Sequence, residues 1–281
     1  MSSTRAVRGG FSVLGAFALA TLLAAPAAAQ DPAPSGPSLT VTGGLDFTNQ
    51  YNFRGIRQNT EGVSIWPYID FGIGAYTGEG ALKTVTLNLG MWNALHSQLD
   101  DNKWYEADYY ATLGFGFSKA ALAFNYTSYT SPADLFAHVK EAQIKLSVDD
   151  SSALGKGALK PYVLVAFELT DDAQADAGAA KGTYVELGVA PGYAGSRASL
   201  AIPIKVGLSA GDYYEFGTGT DSKFGYFSIG GLVTVPIGSK ANIHGGLEFQ
   251  TFGDNLKAYN GFGDDGDGPA TIASIGIGFA F

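Results

Sequence analysis

The chain has 281 residues, a net charge of -9 and no cysteine. The lack of cysteine excludes thiol chemistry and cysteine-bound metals, and the acidic balance without clusters of Lys and Arg argues against a nucleic-acid partner. Charged residues make up 15% of the chain, where about 25% is usual for a soluble protein, while aromatic residues reach 13% and glycines number 39. This composition is typical of a chain whose surface faces lipid.

The chain begins with the pattern of a secretory signal peptide. Arg5 and Arg8 precede an apolar run at positions 11–23, and three alanines at positions 27–29 form a small-residue cleavage site. The apolar run is too short to be retained as a membrane helix. We therefore expect three segments: a cleaved signal peptide (1–29), a proline-rich periplasmic tether (30–37) and a single folded domain (38–281).

Side chains in the folded domain alternate between apolar and polar. Between Val63 and Tyr76, apolar residues occupy every second position, and residues such as Asp70 lie between them. A period of two predicts a β-strand with one apolar face. Twelve such windows follow one another: 39–51, 62–76, 82–95, 104–118, 120–130, 139–148, 159–170, 183–194, 197–209, 224–236, 242–252 and 269–281.

The number and length of these windows predict the fold class. Windows of about ten residues are long enough to cross a bilayer when tilted, whereas strands of soluble proteins are usually shorter. The connections alternate between short turns and long loops, except that positions 149–158 are long for a turn. We therefore predict an all-β, up-and-down, transmembrane antiparallel β-barrel of about 12 strands.

The alternation also divides the side chains into two faces. Tyr105, Phe117, Tyr193 and Phe249 fall on the apolar face near strand ends, where aromatic girdles are expected. Charged side chains fall on the polar face, except Lys83, Lys140 and Lys223 at strand ends, where long side chains can reach water. The polar face should line the lumen with excess negative charge and favour cations; alternatively, the charges pair across the lumen and close it. The predicted lumen residues are Asp46, Asp70, Glu106, Asp108, Glu141, Lys145, Lys160, Glu168, Glu186, Lys205 and Glu248.

The C-terminal strand supports an outer-membrane location. Ile275, Ile277, Phe279 and the final residue Phe281 share one face. This alternation ending in an aromatic residue resembles the terminal strand signature of bacterial outer-membrane proteins, which implies handling by the barrel-assembly machinery. We therefore expect a multi-pass barrel of the cell outer membrane, in contact with outer-membrane lipid and lipopolysaccharide.

A motif follows the first strand. Tyr51, Phe53, Arg54 and Gly55 form a Tyr-x-Phe-Arg-Gly sequence, followed closely by Gln58. The segment resembles the first hairpin of the TorF-like family of outer-membrane porins, which implies a barrel with pore activity but supplies no substrate and no catalytic residue. The glycine would permit a tight turn.

Two arginines near this motif have two interpretations. Arg54 and Arg57 could fold back onto Asp46 or Asp70 and narrow the pore, or they could form a structural salt bridge that holds the loop. Both interpretations stay open on the sequence alone.

Together these features predict a function. We expect a channel that passes small solutes or ions through a narrow, net acidic lumen, with a closed structural or adhesive barrel as the alternative. A lipid-modifying enzyme is disfavoured, because His96, His138 and His244 have no recognisable lipid-facing serine neighbour. No cofactor is expected. The acidic cluster Asp264, Asp265 and Asp267 lacks a complete calcium-loop pattern, which favours a solvated loop over a metal site.

Overall fold

A computed structural model describes residues 38–100, 102–171, 173–176, 178, 180–216, 219–261 and 270–281. The predicted signal peptide and tether, and the cluster of Asp264, Asp265 and Asp267, lie outside the described residues. Within them, most residues form β-strands. The strands are β1 (Ser38–Thr48), β2 (Tyr51–Phe53), β3 (Ile56–Asn59), β4 (Ser64–Thr77), β5 (Leu82–His96), β6 (Trp104–Phe117), β7 (Ala120–Thr130), β8 (Val139–Val148), β9 (Tyr162–Glu168), β10 (Thr183–Val189), β11 (Gly192–Ala194), β12 (Ser199–Ala201), β13 (Ile204–Gly211), β14 (Phe224–Ile237), β15 (Ala241–Phe252) and β16 (Ala270–Ala280).

Fourteen of the strands form one closed antiparallel sheet, in the order β11-β12-β14-β13-β10-β9-β8-β7-β6-β5-β4-β1-β16-β15. The pairing of β14 with β15 closes the ring, and the first strand pairs with the last from Thr42↔Ala280 to Thr48↔Ser274. β10 with β11, and β12 with β13, each continue a single crossing, so the barrel has 12 crossings. The predicted fold class is confirmed.

The predicted windows match the observed strands closely, and prolines account for the two that are split. Windows 120–130 and 139–148 coincide with β7 and β8. Pro191 and Pro203 interrupt windows 183–194 and 197–209, because proline has no N–H to donate to the ladder. Their carbonyl groups still accept hydrogen bonds, from Ile202 N at 2.8 Å and Gly230 N at 2.9 Å.

The long connection at positions 149–158 contains a short helix, α1 (Ser151–Leu154), and a 3-10 turn (Gly155–Gly157), which explains its length. Lys160 lies beyond this turn and before β9, with a positive φ of 51° and an exposed side chain. Its prediction as a lumen residue was therefore wrong. A second helix, α2 (Asp254–Tyr259), follows β15. None of the helices among the described residues is long and apolar enough to span a membrane.

The two faces of the sheet have opposite chemistry. Large apolar side chains are exposed on the outer face, such as Phe71, Phe124 and Ile275, while acids such as Glu106 and Glu141 are buried inside the barrel. This distribution is the reverse of that in a soluble protein. The predicted girdle residues Phe117, Tyr193 and Phe249 are exposed on the outer face.

Tyr105 is the exception among the predicted girdle residues, because it is buried inside the barrel. The register of β5 with β6 shifts between Ala94 and Leu95, so that Leu95 pairs with Trp104 while Ala94 pairs with Glu106. The shift turns Tyr105 inward and leaves Trp104 exposed on the outer face. A strict period of two cannot reveal such a bulge.

A hydrogen bond between two side chains crosses the last strand. Asp46 on β1 and His244 on β15 both pair with Gly276 of β16, and Asp46 Oδ1 lies 2.6 Å from His244 Nε2. A Cβ at Gly276 would collide with Asp46 Oδ1 and would lie 2.6 Å from His244 Nε2. The glycine therefore permits a contact that links β1 and β15 across β16.

Replacing Gly276 with alanine should lower the heat resistance of the barrel, because the methyl group would separate Asp46 from His244. Overpacking of this kind costs roughly 1–3 kcal/mol. The midpoint of heat-modifiable electrophoretic mobility measures the effect. Gly231→Ala is the control, since a Cβ there would have no neighbour within 4 Å. Equal midpoints for the two variants would contradict the role of this contact.

Candidate functional site

The hairpin β2–β3 lies inside the barrel at the end that carries the long loops, which we call the loop end. Arg54 and Gly55 form its two-residue turn, with φ values of 47° and 84°. Positive φ at both positions is the geometry of a type I′ turn, in which glycine avoids the strain of a side chain. Tyr51, Phe53 and Ile56 are 1%, 2% and 0% exposed, so the hairpin fills the interior rather than covering it.

Arg54 at the tip of the hairpin is bound to the wall. Its Nη1 and Nη2 donate to Glu141 Oε1 at 2.6 Å and Oε2 at 2.8 Å, and Nη1 also donates to Tyr213 Oη at 2.6 Å. The guanidinium carbon lies 4.2 Å from the ring centre of Tyr184 and 4.6 Å from that of Phe53. Paired hydrogen bonds and stacking together are the strongest contacts an arginine makes in a protein.

The partner of Arg54 differs from the predicted one. Glu141 lies on β8, five strands from β1 in a barrel of 12 crossings, so the hairpin crosses the interior to the opposite wall. The predicted partners are bound to their own neighbours: Asp46 to His244, and Asp70 to Asn88 Nδ2 at 2.6 Å. Binding of Arg54 to Asp46 or Asp70 was therefore a wrong prediction.

Arg57 contacts the last loop. Its backbone N–H donates to Asn260 Oδ1 at 2.9 Å, and its Nη1 donates to Asn260 O at 2.7 Å. Asn260 Nδ2 in turn donates to Gly55 O at 2.8 Å. Asn260 directly follows α2, whose Leu256 is buried. The loop after β15 thus holds the turn of the hairpin in place.

Tyrosines from the loop after β13 complete the packing. Tyr214 Oη donates to Arg54 O at 3.0 Å, and the rings of Tyr213 and Tyr214 meet edge to face at 5.1 Å. Tyr213 also contacts the ring of Tyr184 at 5.1 Å. We call the hairpin together with these two tyrosines and α2 the plug. The plug fills part of the interior at the loop end.

Two carboxyl groups are buried beside the plug. Glu106 and Asp108 are both 0% exposed and lie within hydrogen-bonding reach of each other. Tyr51 Oη donates to Glu106 Oε2 at 3.0 Å, while Glu106 Oε1 and both Asp108 oxygens have no other partner among the described residues. Two adjacent buried carboxyl groups cannot both be ionised without a counter-charge, so one proton shared between them satisfies this pair.

Other predicted lumen residues form pairs along the wall. Glu186 accepts hydrogen bonds from the hydroxyls of Tyr162, Tyr184 and Tyr226 at 2.7, 2.6 and 2.9 Å. Lys205 Nζ lies 3.3 Å from Glu248 Oε1. These contacts join nearby strands along the wall, so they differ from the pairing across the lumen that was predicted as the alternative.

Lys145 and Glu168 make different contacts. Lys145 Nζ lies 4.3 Å from the ring centre of Tyr162. Glu168 accepts from the backbone N–H groups of Ala175 and Gly182 at 2.5 and 2.6 Å, and so fixes the loop after β9.

A contact on the outer face was missed by the sequence analysis. Ser128 Oγ, on the outward side of β7, lies 2.7 Å from His138 Nε2, which directly precedes β8. The expectation that no histidine has a serine neighbour on the outer face was wrong. The outward parity of Ser128 and the position of His138 directly before the next strand were the available signals. Among the described residues, no cluster of three His, Asp or Glu side chains can hold a metal ion.

Several solved outer-membrane barrels resemble the chain at low sequence identity. No protein-family model and no curated protein matches the sequence. A Salmonella typhi outer-membrane phospholipase dimer with bound calcium is 12% identical, with 89% of this chain and 94% of that chain covered and a TM-score of 0.49. An outer-membrane channel from Pseudomonas putida F1 is 12% identical, with 90% and 100% covered and a TM-score of 0.48. The translocator domain of an autotransporter from Neisseria meningitidis is 15% identical, with 89% and 90% covered and a TM-score of 0.42. Because these proteins differ in activity, the likeness does not select a function.

Asp108, which shares a proton with Glu106, and Glu141, which pairs with Arg54, should respond differently when each is replaced by its uncharged amide. Asp108→Asn should keep the plug intact, because an amide can donate to Glu106 as the shared proton does. Glu141→Gln should loosen it, because leaving a buried charge unpaired costs about 3–5 kcal/mol. Amide hydrogen exchange of residues 51–59 measures both. Faster exchange in Asp108→Asn than in Glu141→Gln would contradict this account.

A loop carboxyl links the packing of the plug to pH. Burial raises the pKa of Asp176 to about 6, against hydrogen bonds from the backbone N–H groups of Phe216, Gly178 and Glu215. Because this pKa is above the ordinary value of 3.8, the folded loop binds the proton more tightly than the unfolded loop. The resulting stability is complete below about pH 4 and is lost as the pH rises through about 6.

Hydrogen exchange of the peptide containing Asp176, corrected for the intrinsic pH dependence, should therefore show greater protection at pH 5 than at pH 7.5. Asp176→Asn should remove the difference, since the amide does not titrate. An unchanged difference in that variant would contradict the assignment of the effect to Asp176.

Proposed function

We propose that this protein is an outer-membrane channel that passes small solutes or ions through a narrow, net acidic lumen, and that the plug closes it at the loop end. The ionisable interior wall is the observation that supports this most. Barrels of about eight strands are filled by side chains and those of 16 or more hold wide channels, so 12 crossings fit a narrow lumen.

The exposure of the wall side chains supports a lumen that the plug fills only in part. Glu106, Asp108 and Glu141 beside the plug are buried. In contrast, the paired side chains of Lys205 and Glu248 keep 27% and 29% of their surface exposed inside the closed barrel. Side chains that are partly exposed within a closed sheet border space that water and small solutes can enter.

The apolar outer face supports the membrane location. Large apolar side chains are exposed on successive outward positions, such as Ile69, Phe71 and Ile73 on β4, a pattern that would aggregate in water. The alternating apolar residues Ile275, Ile277 and Phe279 on β16 fit delivery to the outer membrane through the barrel-assembly machinery. The loop end would face outward, among lipopolysaccharide.

The charge of the wall supports a preference for cations. Eight carboxylates of the predicted set remain on the wall: Asp46, Asp70, Glu106, Asp108, Glu141, Glu168, Glu186 and Glu248. Arg54, Lys145 and Lys205 oppose them. Even with one proton shared between Glu106 and Asp108, the excess is negative, which favours cations in a region of low dielectric constant.

Arg54→Ala should raise the conductance or open probability in planar bilayers several-fold, because the hairpin loses its bond to the opposite wall. Glu141→Gln should act in the same direction. Lys181→Ala is a matched control, since it removes an ion pair with Asp171 that is exposed on a loop. Reversal potentials in a salt gradient should show cation preference in the wild type and in each variant.

Replacing residues 51–59 with a short Gly-Ser linker separates the channel from its alternative, a closed structural or adhesive barrel. A folded barrel that lacks the hairpin and conducts no ions would refute the channel. Anion selectivity would refute the acidic lumen while leaving a channel. Heat-modifiable mobility verifies that each variant has folded.

A further inference from the structure

The contact between Ser128 and His138 lies on the outer face of the barrel, away from the lumen. Ser128 Oγ is 2.7 Å from His138 Nε2, which is the distance between a nucleophile and its general base in hydrolases. Phe124 and Tyr126, the outward residues before it on β7, are large and exposed. The strand therefore places one polar, nucleophilic side chain above an apolar stripe.

The histidine is suited to accept a proton from the serine. Partial burial lowers the pKa of His138, and the nearby charge of Lys140 lowers it further. At neutral pH the ring is therefore uncharged, as a general base must be. When Nδ1 carries the ring proton, Nε2 offers its lone pair to the hydroxyl of Ser128.

A cation flanks the pair. Lys140 on β8 is the direct cross-strand partner of Ser128, so their Cβ atoms are roughly 5 Å apart on the same outward face. The side chain of Lys140 is exposed. An ammonium group at this position can bind a lipid phosphate or stabilise the negative charge that develops on a carbonyl oxygen under attack.

The depth of the site matches that of a lipid ester. Ser128 is two residues before the end of β7 at Thr130, or about 7 Å along the strand. In the membrane orientation that the proposed function supplies, this level is the boundary between acyl chains and headgroups. Acyl chains would lie along Phe124 and Tyr126, with the ester carbonyl beside the serine.

We propose that Ser128 and His138, with Lys140 beside them, hydrolyse fatty-acyl esters of membrane lipids at the outer face of the barrel. His138 Nε2 takes the proton of Ser128 while Oγ attacks the ester carbonyl. The ester C–O bond breaks, and the leaving alcohol receives that proton from His138. Water then attacks the acyl-serine, giving one proton to His138; the acyl–Oγ bond breaks, Ser128 regains the proton, and a fatty acid is released.

This activity shares no residue with the lumen, because alternate side chains of β7 point to opposite faces. The channel and the hydrolytic site are therefore tested separately. A plugged barrel without conductance could still hydrolyse lipid, and a conducting barrel could lack hydrolysis. The position of the ester rests on the membrane location in the proposed function, whereas the contact between Ser128 and His138 does not.

Folded protein in detergent is incubated with phosphatidylethanolamine in one arm and with lipopolysaccharide in the other, and released fatty acids are measured by mass spectrometry. We expect release in at least one arm, and the two arms identify the source of the ester. Ser128→Ala should abolish release, and His138→Gln should lower it by about 10²- to 10⁴-fold. Ser222→Ala is the control, since this exposed loop serine bonds to Phe224 O and does not contact a histidine.

Labelling with a fluorophosphonate reports on the nucleophile itself. The adduct should form at Ser128 in the wild type and should be lost in His138→Gln. If the hydrogen bond were only structural, Ser128 would not be labelled in the wild type. Absence of release from both lipids, or release that persists in Ser128→Ala, would overturn the proposal. Heat-modifiable mobility confirms that each variant retains the barrel.

Discussion

Backbone hydrogen bonding within a closed ring is the constraint on which the rest of the structure depends. Each amide in a barrel wall must find its partner in the neighbouring strand, because lipid supplies none. Closing the ring through β1 and β16 then fixes which side chains face inward. Two inward tyrosines occupy the space that a glycine leaves free on the paired strand: Tyr68 lies over Gly44, and Tyr110 over Gly90.

The contacts of the plug follow from the same constraint, because the polar groups of a hairpin inside the ring must find hydrogen-bond partners there. Arg54 does so through Glu141 and Tyr213, and the backbone of the turn does so through Tyr214 and Asn260. These contacts are made mostly by side chains, whereas the wall is a continuous ladder of backbone hydrogen bonds. The hairpin can therefore be loosened by single side-chain substitutions that leave the ladder intact.

The alternation of side chains within each segment predicted the strands. It could not predict contacts between segments that are distant in the sequence. The alternation of β7 and β8 lies within the sequence of each strand, so both ends were found. The inward turn of Tyr105 depends on a bulge against β5, and the partner of Arg54 depends on how far the hairpin crosses the lumen. Ser128 and His138 meet because of the register between two strands, which parity alone does not give.

The two faces of β7 and β8 are connected through the loop that joins them. Inward, Tyr129 Oη donates to Glu141, which holds Arg54. Outward, the same strands carry Ser128 and Lys140. Phe136 in the connecting loop packs edge to face on Tyr105 at 5.4 Å, beside the plug, and His138 follows two residues later. The loop that brings His138 to Ser128 is therefore anchored on an interior side chain of the wall.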